Sequence, residues 1–254
     1  MNRWGEKRYH SMDYDLKQLY GEKVYKITLN GGMTCPNRDG KIGHGGCIFC
    51  STAGSGDFAG PATCSITKQL AMGKENLTKK RPVHSYIAYF QAFTNTYAPV
   101  EYLRQIYMEA IQDPDVQILS IATRPDCLPD DVLQLLEEIN QIKPVWVELG
   151  LQTIHPQTAN YIRRGYPLEV FEEAVNNLRK RNISVITHTI LGLPGENEDM
   201  MLETIDYLNK MDIQGIKLQL LHILKGTDLA LDYEKQPFWS PSMEEYISLL
   251  GTCI

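Results

Sequence analysis

Six short runs of apolar and β-branched residues recur along the chain, and turn-forming residues bound each of them. Runs of this length, apolar at nearly every position, are typical of strands that are buried on both faces of a parallel sheet. The sequence therefore predicts strands at residues 24–29, 85–90, 118–122, 145–149, 184–191 and 215–220.

Apolar residues at three- and four-residue spacing lie between these runs, which is the pattern of an amphipathic helix. It predicts helices over residues 100–111, 132–139, 170–178 and 200–208. Ser242, followed three residues later by Glu245, resembles a capping box that opens a last helix. Strands alternating with helices indicate a parallel α/β fold. Because no Rossmann phosphate fingerprint is present, we expect a partial (β/α)6 TIM-like barrel rather than an open doubly wound sheet.

We expect one domain over residues 1–254, with an N-terminal extension at residues 1–22. No element follows the last predicted helix, so we also expect the sequence to be truncated at its C-terminal end. In barrels of this kind the reactive groups follow the C-terminal ends of the strands. Candidate functional residues are therefore sought at those positions.

Composition and charge narrow the function classes. No apolar run approaches the roughly 20 residues that span a bilayer, and the polar N-terminus lacks a signal-peptide core, so we expect a cytosolic protein with no membrane partner. The formal net charge of −6 argues against broad nucleic-acid binding. Two short basic runs, at residues 79–81 and 179–181, could still form local patches.

A glycine-rich stretch directly after the first predicted strand holds three of the six cysteines, Cys35, Cys47 and Cys50. The C-x2-C pair lets two thiolates converge on one centre, and the glycines permit the turns that fold the third back to it. Thiolates are the ligands of iron–sulfur clusters. A [4Fe–4S] cluster held by three cysteines keeps one iron open for another ligand.

The loop taken by itself leaves a second interpretation open. His44 lies three residues before Cys47, so the three cysteines and His44 could form a Cys3His zinc site.

The spacing Cys35-x11-Cys47-x2-Cys50 resembles the signature of radical S-adenosylmethionine (SAM) enzymes. Its long first gap is typical of the YhcC/YtqA-like radical SAM subfamily, which is related to the elongator catalytic subunit. Further segments match in order, from residues 4–9 to residues 220–227. The resemblance implies a [4Fe–4S] cluster on the three cysteines and SAM on its open iron. It makes His44 a bystander.

The same resemblance implies cofactor-binding residues at the later strand ends. Gln91 stands where other radical SAM enzymes carry the last residue of a Gly-Gly-Glu that meets the SAM amino group, and either Arg163 or Arg164 resembles the partner of the SAM carboxylate. His188 and His222, at or near strand ends, are either substrate contacts or ordinary histidines. The full implied set for SAM is Gln91, Thr123, Arg124, Glu148, Gln152, Arg163, Arg164, Gly192 and Leu220.

The function implied by the resemblance is reductive cleavage of SAM to a 5′-deoxyadenosyl radical that modifies the C5 substituent of a tRNA wobble uridine. An electron donor such as flavodoxin or ferredoxin would supply the electron. Two alternatives remain: a radical SAM enzyme that acts on a small metabolite or a protein, and a non-catalytic binding module stabilised by zinc.

Overall fold

The computed structural model describes residues 3–79 and 82–254. Lys80 and Arg81, which belong to one of the two predicted basic runs, lie outside the described residues. The strands are β1 (Tyr25–Leu29), β2 (Tyr86–Phe90), β3 (Val116–Thr123), β4 (Val145–Gln152), β5 (Ser184–Leu191) and β6 (Gly215–Leu220). The helices are α1 (Met12–Tyr20), α2 (Ile66–Thr78), α3 (Val100–Ile111), α4 (Asp130–Asn140), α5 (Pro156–Tyr161), α6 (Leu168–Arg179), α7 (Glu198–Leu208), α8 (Asp228–Lys235) and α9 (Met243–Cys253), with a short 3-10 helix at Pro125–Cys127.

The six strands form one parallel sheet in the order β1-β2-β3-β4-β5-β6. Side chains from distant strands meet across its concave face: Lys26 on β1 contacts Glu148 on β4, although two strands lie between them. A flat sheet would hold these residues far apart, because neighbouring strands are about 4.8 Å apart. The sheet is therefore curled into the partial (β/α)6 barrel that the sequence predicts.

The two faces of the sheet carry different side chains because residues alternate along each strand. Residues such as Leu29, Phe90 and Leu149 point outward and pack on the helices in the main apolar core. On the concave side, Ile87 and Ile118 pack with Leu16 of α1 in a separate cluster. Helix α1 thus closes the N-terminal end of the half-barrel, and the C-terminal end carries the loops.

All six predicted strands and the five predicted helices are present. Helix α9 opens with the expected reciprocal capping box between Ser242 and Glu245. Helices α1, α2, α5 and α8 were not predicted. Three of them are capped by a serine or threonine, at Ser11, Ser65 and Thr227, so local capping signals were present in the sequence. Within the described ranges, no helix is both long and apolar enough to cross a membrane.

Candidate active site

The three clustered cysteines lie together in the loop that follows β1 and line one cavity of ≈ 280 Å³. The cavity opens at the C-terminal end of the half-barrel, where residues from all the strands after β1 also reach it. Within the part of the chain that the structure describes, no other cysteine lines it. Cys35, Cys47 and Cys50 thus line the same cavity, and their predicted role as ligands of one cluster stays a prediction.

Backbone hydrogen bonds and one arginine fold the cysteine loop back on itself. The Cys35 carbonyl accepts hydrogen bonds from the backbone N–H groups of Arg38 (2.8 Å) and Asp39 (3.2 Å). The Arg38 guanidinium then donates to the carbonyls of Cys50 (3.1 Å) and Ser51 (2.5 Å). Gly46 has φ +86° and lies so close to Arg38 that an added Cβ would sit 2.8 Å from Nε. Glycine is required there because it alone meets both the conformational and the steric demand.

The loop brings three thiols but not His44 to the cavity, a donor set that suits an iron–sulfur cluster better than a four-ligand zinc site. Tetrahedral zinc needs four ligands within about 2.3 Å of one point. Across residues 3–79 and 82–254, no three or more His, Cys, Asp or Glu side chains are gathered tightly enough to hold one metal ion. His44 packs against Gly40 in the exposed part of the loop and is not among the residues that line the cavity. The zinc interpretation therefore lacks its fourth ligand.

The Cys47 thiol lies against polar groups of Asn37 and Arg163. Asn37 Nδ2 lies 3.6 Å from its Sγ, and the Arg163 carbonyl lies 3.5 Å from the same atom. Burial raises the pKa of the Cys47 thiol to about 11, and the neighbouring Cys50 and Cys35 add to the shift. Since metal ligation requires the thiolate, a positively charged metal centre would have to supply the compensating charge.

Most of the residues implied for SAM line this cavity. We call six of them, which lie towards its mouth, the rim: Gln91, Thr123, Arg124, Gln152, Arg164 and Leu220. Gln152 is the most informative of them. It follows a register shift between β4 and β5, has φ +69°, and its buried Oε1 has no hydrogen-bond partner. A buried, unsatisfied amide oxygen is costly, and Gln152 also lines the cavity, so this oxygen is a candidate acceptor for a hydrogen bond from a bound molecule.

Two rim arginines are already occupied by the protein itself. Arg124 forms a two-point ion pair with Asp126 and donates to the Arg164 carbonyl at 2.9 Å. Arg164 donates to the carbonyls of Tyr166, Leu151 and Thr153 at 3.0, 3.0 and 2.6 Å. The Tyr166 ring packs against both guanidinium groups. These side chains hold the loop after β4 in place. Arg164 is one of the two arginines implied for the SAM carboxylate, and that contact stays a prediction.

Two of the implied residues lie away from the cavity lining. The half-exposed Arg163 side chain pairs with Asp228 of α8, while its backbone carbonyl accepts a hydrogen bond from Asn37 Nδ2 at 2.6 Å. Gly192 has φ +84°, and an added Cβ there would meet Pro241 at 3.1 Å. Both residues support the loops next to the cavity, and neither is brought to its wall.

Glu148 lies deeper than the rim, at the centre of a polar cluster that we call the floor. Its Oε1 accepts hydrogen bonds from Lys26 and, at 2.6 Å, from Ser120 Oγ. Its Oε2 lies 2.7 Å from His188 Nε2 and 3.8 Å from Lys217 Nζ. Tyr89 also hydrogen-bonds to this carboxylate. The floor consists of Lys26, Tyr89, Ser120, Glu148, His188 and Lys217, one residue from each of the six strands.

Burial and mutual contacts shift the pKa values of the ionisable groups in the floor. Burial alone would raise the pKa of Glu148, but the hydrogen bond from His188 and the nearby ammonium groups hold it well below its usual range. Burial lowers the pKa of His188, against the pull of Glu148, and it also lowers the pKa of Lys217. Burial raises the pKa of Tyr89, so the phenol stays protonated and can donate. The floor thus contains an ionised carboxylate, a neutral imidazole and two lysines.

Sequence reasoning missed the floor as a unit. The resemblance implies a role for Glu148 at SAM, His188 has two interpretations, and neither Lys26 nor Lys217 is among the candidate residues. A signal was available, since Lys26 and Lys217 each stand inside a predicted strand, between two apolar or aromatic neighbours. A charged residue at such a position must find a partner, because burying an unpaired charge is costly. The partner could not be identified without the strand order and the curl of the sheet.

Comparison with known proteins now identifies the family. The profile of the Radical SAM superfamily matches residues 37–208. The chain belongs to the radical SAM superfamily. Members of this superfamily use a [4Fe–4S] cluster and SAM, which agrees with the three thiols of the loop.

Several relatives place the chain more closely among radical SAM proteins. The uncharacterized protein YtqA of Bacillus subtilis is 51% identical over 245 residues, which cover 96% of this chain and 76% of that protein. Protein YhcC of Escherichia coli is 42% identical over 94% of this chain and 77% of its own length. A tRNA uridine(34) acetyltransferase of Methanocaldococcus jannaschii is 26% identical over 52% of this chain and 25% of that enzyme. The expected YhcC/YtqA-like relationship is confirmed.

The radical SAM fold is also seen in solved structures. The archaeal Elp3 of Methanocaldococcus infernus superposes with a TM-score of 0.67 at 17% identity. The match covers 91% of this chain, which spans about half of the Elp3 chain (53%). This likeness confirms the fold, including the partial barrel.

Proposed function

We propose that this radical SAM protein binds its [4Fe–4S] cluster through Cys35, Cys47 and Cys50 and modifies the C5 substituent of a wobble uridine in tRNA. The observation that carries the cluster assignment is the meeting of three cysteines, with no fourth among the described residues, at one cavity mouth. When bound and reduced, the cluster supplies the electron that cleaves SAM to a 5′-deoxyadenosyl radical. The tasks that remain for this chain are binding, orientation and the exclusion of water.

The rim supplies the polar groups for the bound cofactor. The unpartnered Gln152 Oε1 is the acceptor that is free to take a hydrogen bond from SAM. Gln91 faces the same cavity from the end of β2, where its Nε2 donates to the Ser55 carbonyl at 2.8 Å. Arg124 and Arg164 act by holding the loop after β4 in place. The apolar cluster beneath α1 closes the N-terminal end of the half-barrel, which limits the access of water from that end.

The tRNA part of the proposal rests on kinship. The relative from M. jannaschii is named a tRNA uridine(34) acetyltransferase, and its similarity covers about half of this chain. The net charge of −6 gives no support to broad RNA binding, so we expect local contacts near the cavity mouth instead. We place the reaction in the cytosol, with flavodoxin or ferredoxin as electron donor.

Anaerobic reconstitution tests the cluster assignment. The wild-type protein should bind about four iron atoms per chain and release 5′-deoxyadenosine from SAM when it is reduced. Cys47→Ala should lose the brown cluster and this activity completely. Cys64→Ala is the matched control, since Cys64 does not line the cavity. A Cys47→Ala protein that keeps the cluster would overturn the ligand assignment.

Comparison of modified nucleosides tests the substrate. Bulk tRNA from cells with and without the gene should differ in one modified wobble uridine, and the Cys64→Ala gene should restore it where the Cys47→Ala gene does not. Identical nucleoside profiles in the two strains would contradict the tRNA proposal. The cluster assignment would stand independently of that result.

A further inference from the structure

We propose that the floor binds a carboxylate on the substrate, with Lys217 as its main contact. This inference rests on the proposed function only in placing SAM in the cavity above the floor. It assigns the substrate class of that same site: a molecule, or a group on a larger molecule, that ends in a carboxylate. The argument starts from the charges that face one another on the concave side of the sheet.

The charges of the floor do not balance. Lys26 and Lys217 contribute two positive charges, and Glu148 contributes one negative charge. His188 is neutral because it is buried, and Tyr89 and Ser120 carry no charge. Glu148 is the only carboxylate among the residues that line the cavity. One positive charge of the floor therefore has no counter-ion within the described part of the chain.

Lys217 carries that surplus. Lys26 is hydrogen-bonded to Glu148, whereas the Lys217 ammonium lies 3.8 Å from Glu148 Oε2, which is beyond hydrogen-bond distance. Its other contact is the Tyr89 ring, whose centre lies 5.4 Å from Nζ. The Lys217 side chain is 39% exposed, against 0% for Glu148, and it lines the cavity. It therefore has three N–H donors available to a molecule that enters from above.

The arginines that line the cavity make contacts of their own within the protein. Arg124 is neutralised by Asp126. Arg164 and Arg38 donate to backbone carbonyls on the side of the cysteines. Exposed His222 also lines the cavity, following β6. The surplus on Lys217 is thus separate from the arginines of the rim.

Size and charge favour a carboxylate over a phosphate. A surplus of one matches a monoanion, whereas a phosphate monoester carries about two charges near neutral pH. A phosphodiester is a monoanion, but it has a nucleoside on each side, and Lys217 lies at the third position of a six-residue strand, well below the mouth of the cavity. A carboxylate is a terminal group, so it can reach this depth with the rest of the substrate above it. Charge-assisted hydrogen bonds from Lys217 would hold it.

The test uses the cluster-loaded protein, saturated with SAM and without reductant, and trifluoroacetate as a monoanionic probe followed by ¹⁹F NMR. The variant is Lys217→Met, which leaves Lys26 and Glu148 balanced and so creates no unpaired carboxylate. Lys180→Met, an exposed lysine at the end of α6, is the charge-matched control. We expect wild type and Lys180→Met to bind the probe, acetate to displace it, and Lys217→Met to bind it about tenfold more weakly or worse.

Three results would overturn the inference: equal binding by Lys217→Met and wild type, no saturable binding by wild type, or displacement by dimethyl phosphate or inorganic phosphate at lower concentration than by acetate. SAM affinity, measured by equilibrium dialysis on the same samples, separates this inference from the proposed function. If Lys217→Met loses SAM affinity instead, the lysine serves the cofactor carboxylate and the inference fails. If wild type does not bind SAM at all, the proposed function fails first.

Discussion

The rim and the floor of the cavity are both polar, but they are held together in opposite ways. At the rim, arginine and glutamine side chains donate to backbone carbonyls, as Arg164 does to Leu151 and Thr153 and Gln91 does to Ser55. At the floor, side chains borne on strands contact one another, and Glu148 is the common acceptor. The rim therefore fixes the course of loops, whereas the floor fixes charges at set positions on a rigid sheet.

This difference separates two tasks that one cavity has to perform. Loops braced by side-chain-to-backbone hydrogen bonds can present carbonyls, N–H groups and thiols to a cofactor of constant shape. A rigid set of charges can select what lies beyond that cofactor, because fixed charges discriminate strongly in a site that excludes water. Changes at the floor should therefore alter stability and substrate selection, and exposed side chains near the rim should matter much less.

The largest effect on stability is expected at Glu148. Replacing it by Gln leaves two lysines without a carboxylate, and removing one partner of a buried ion pair costs about 3–5 kcal/mol. Urea unfolding at pH 7.5 measures the change. Glu138→Gln is the control, because its pair with Arg104 at 2.7 Å is nearly half-exposed and should be worth under about 1 kcal/mol.

A second substitution sharpens this test. Adding Lys217→Met to Glu148→Gln removes one of the unpaired ammonium groups, so the double variant should recover part of the lost stability. Additive losses in the double-mutant cycle would show that Lys217 and Glu148 do not interact, and would contradict the description of the floor as one charge cluster.

The next effect concerns pH and His188. Burial lowers the pKa of folded His188, so an unfolded chain, with an ordinary histidine pKa near about 6.5, binds a proton that the folded chain does not. The stability contributed by neutral His188 is present above that pH and is lost as the pH falls through the folded pKa. We expect wild-type stability to fall between pH 7 and pH 5.5 more steeply than that of His188→Gln, by at most about 1.4 kcal/mol per pH unit.

His84→Gln, which removes an exposed imidazole, should keep the wild-type slope. Equal slopes for wild type and His188→Gln would mean that the imidazole is not held neutral at the floor.

The contrast between local loop contacts and the long-range contacts of the floor also explains which features the sequence could predict. The strands were predictable because local apolar runs mark them, and the cysteine loop was predictable because its three cysteines fall within 16 residues. The floor was not, since Lys26 and Glu148 are separated by 122 positions and meet only after the sheet curls. The uses of the arginines also escaped prediction. Sequence shows that Arg164 can bind a carboxylate, but the orientation of nearby carbonyls decides what it binds.

Substitution of Arg163 should have the smallest effect on stability and SAM affinity. In this residue the side chain and the backbone carbonyl make separate contacts, which can be tested one at a time. Its guanidinium forms a half-exposed pair with Asp228, while its carbonyl accepts from Asn37 beside the cysteine loop. Arg163→Ala should therefore cost under about 1 kcal/mol in unfolding and leave SAM affinity unchanged. Arg163→Gly is the sharper variant, because glycine keeps the carbonyl and readily adopts the observed φ of +55°.

Arg164→Ala provides the contrast, since it removes the buried donor to three carbonyls and should cost about 1–3 kcal/mol or more. A tenfold loss of SAM affinity in both Arg163 variants would show that this guanidinium leaves Asp228 to bind the cofactor, and the purely backbone role of Arg163 beside the cysteine loop would then be wrong.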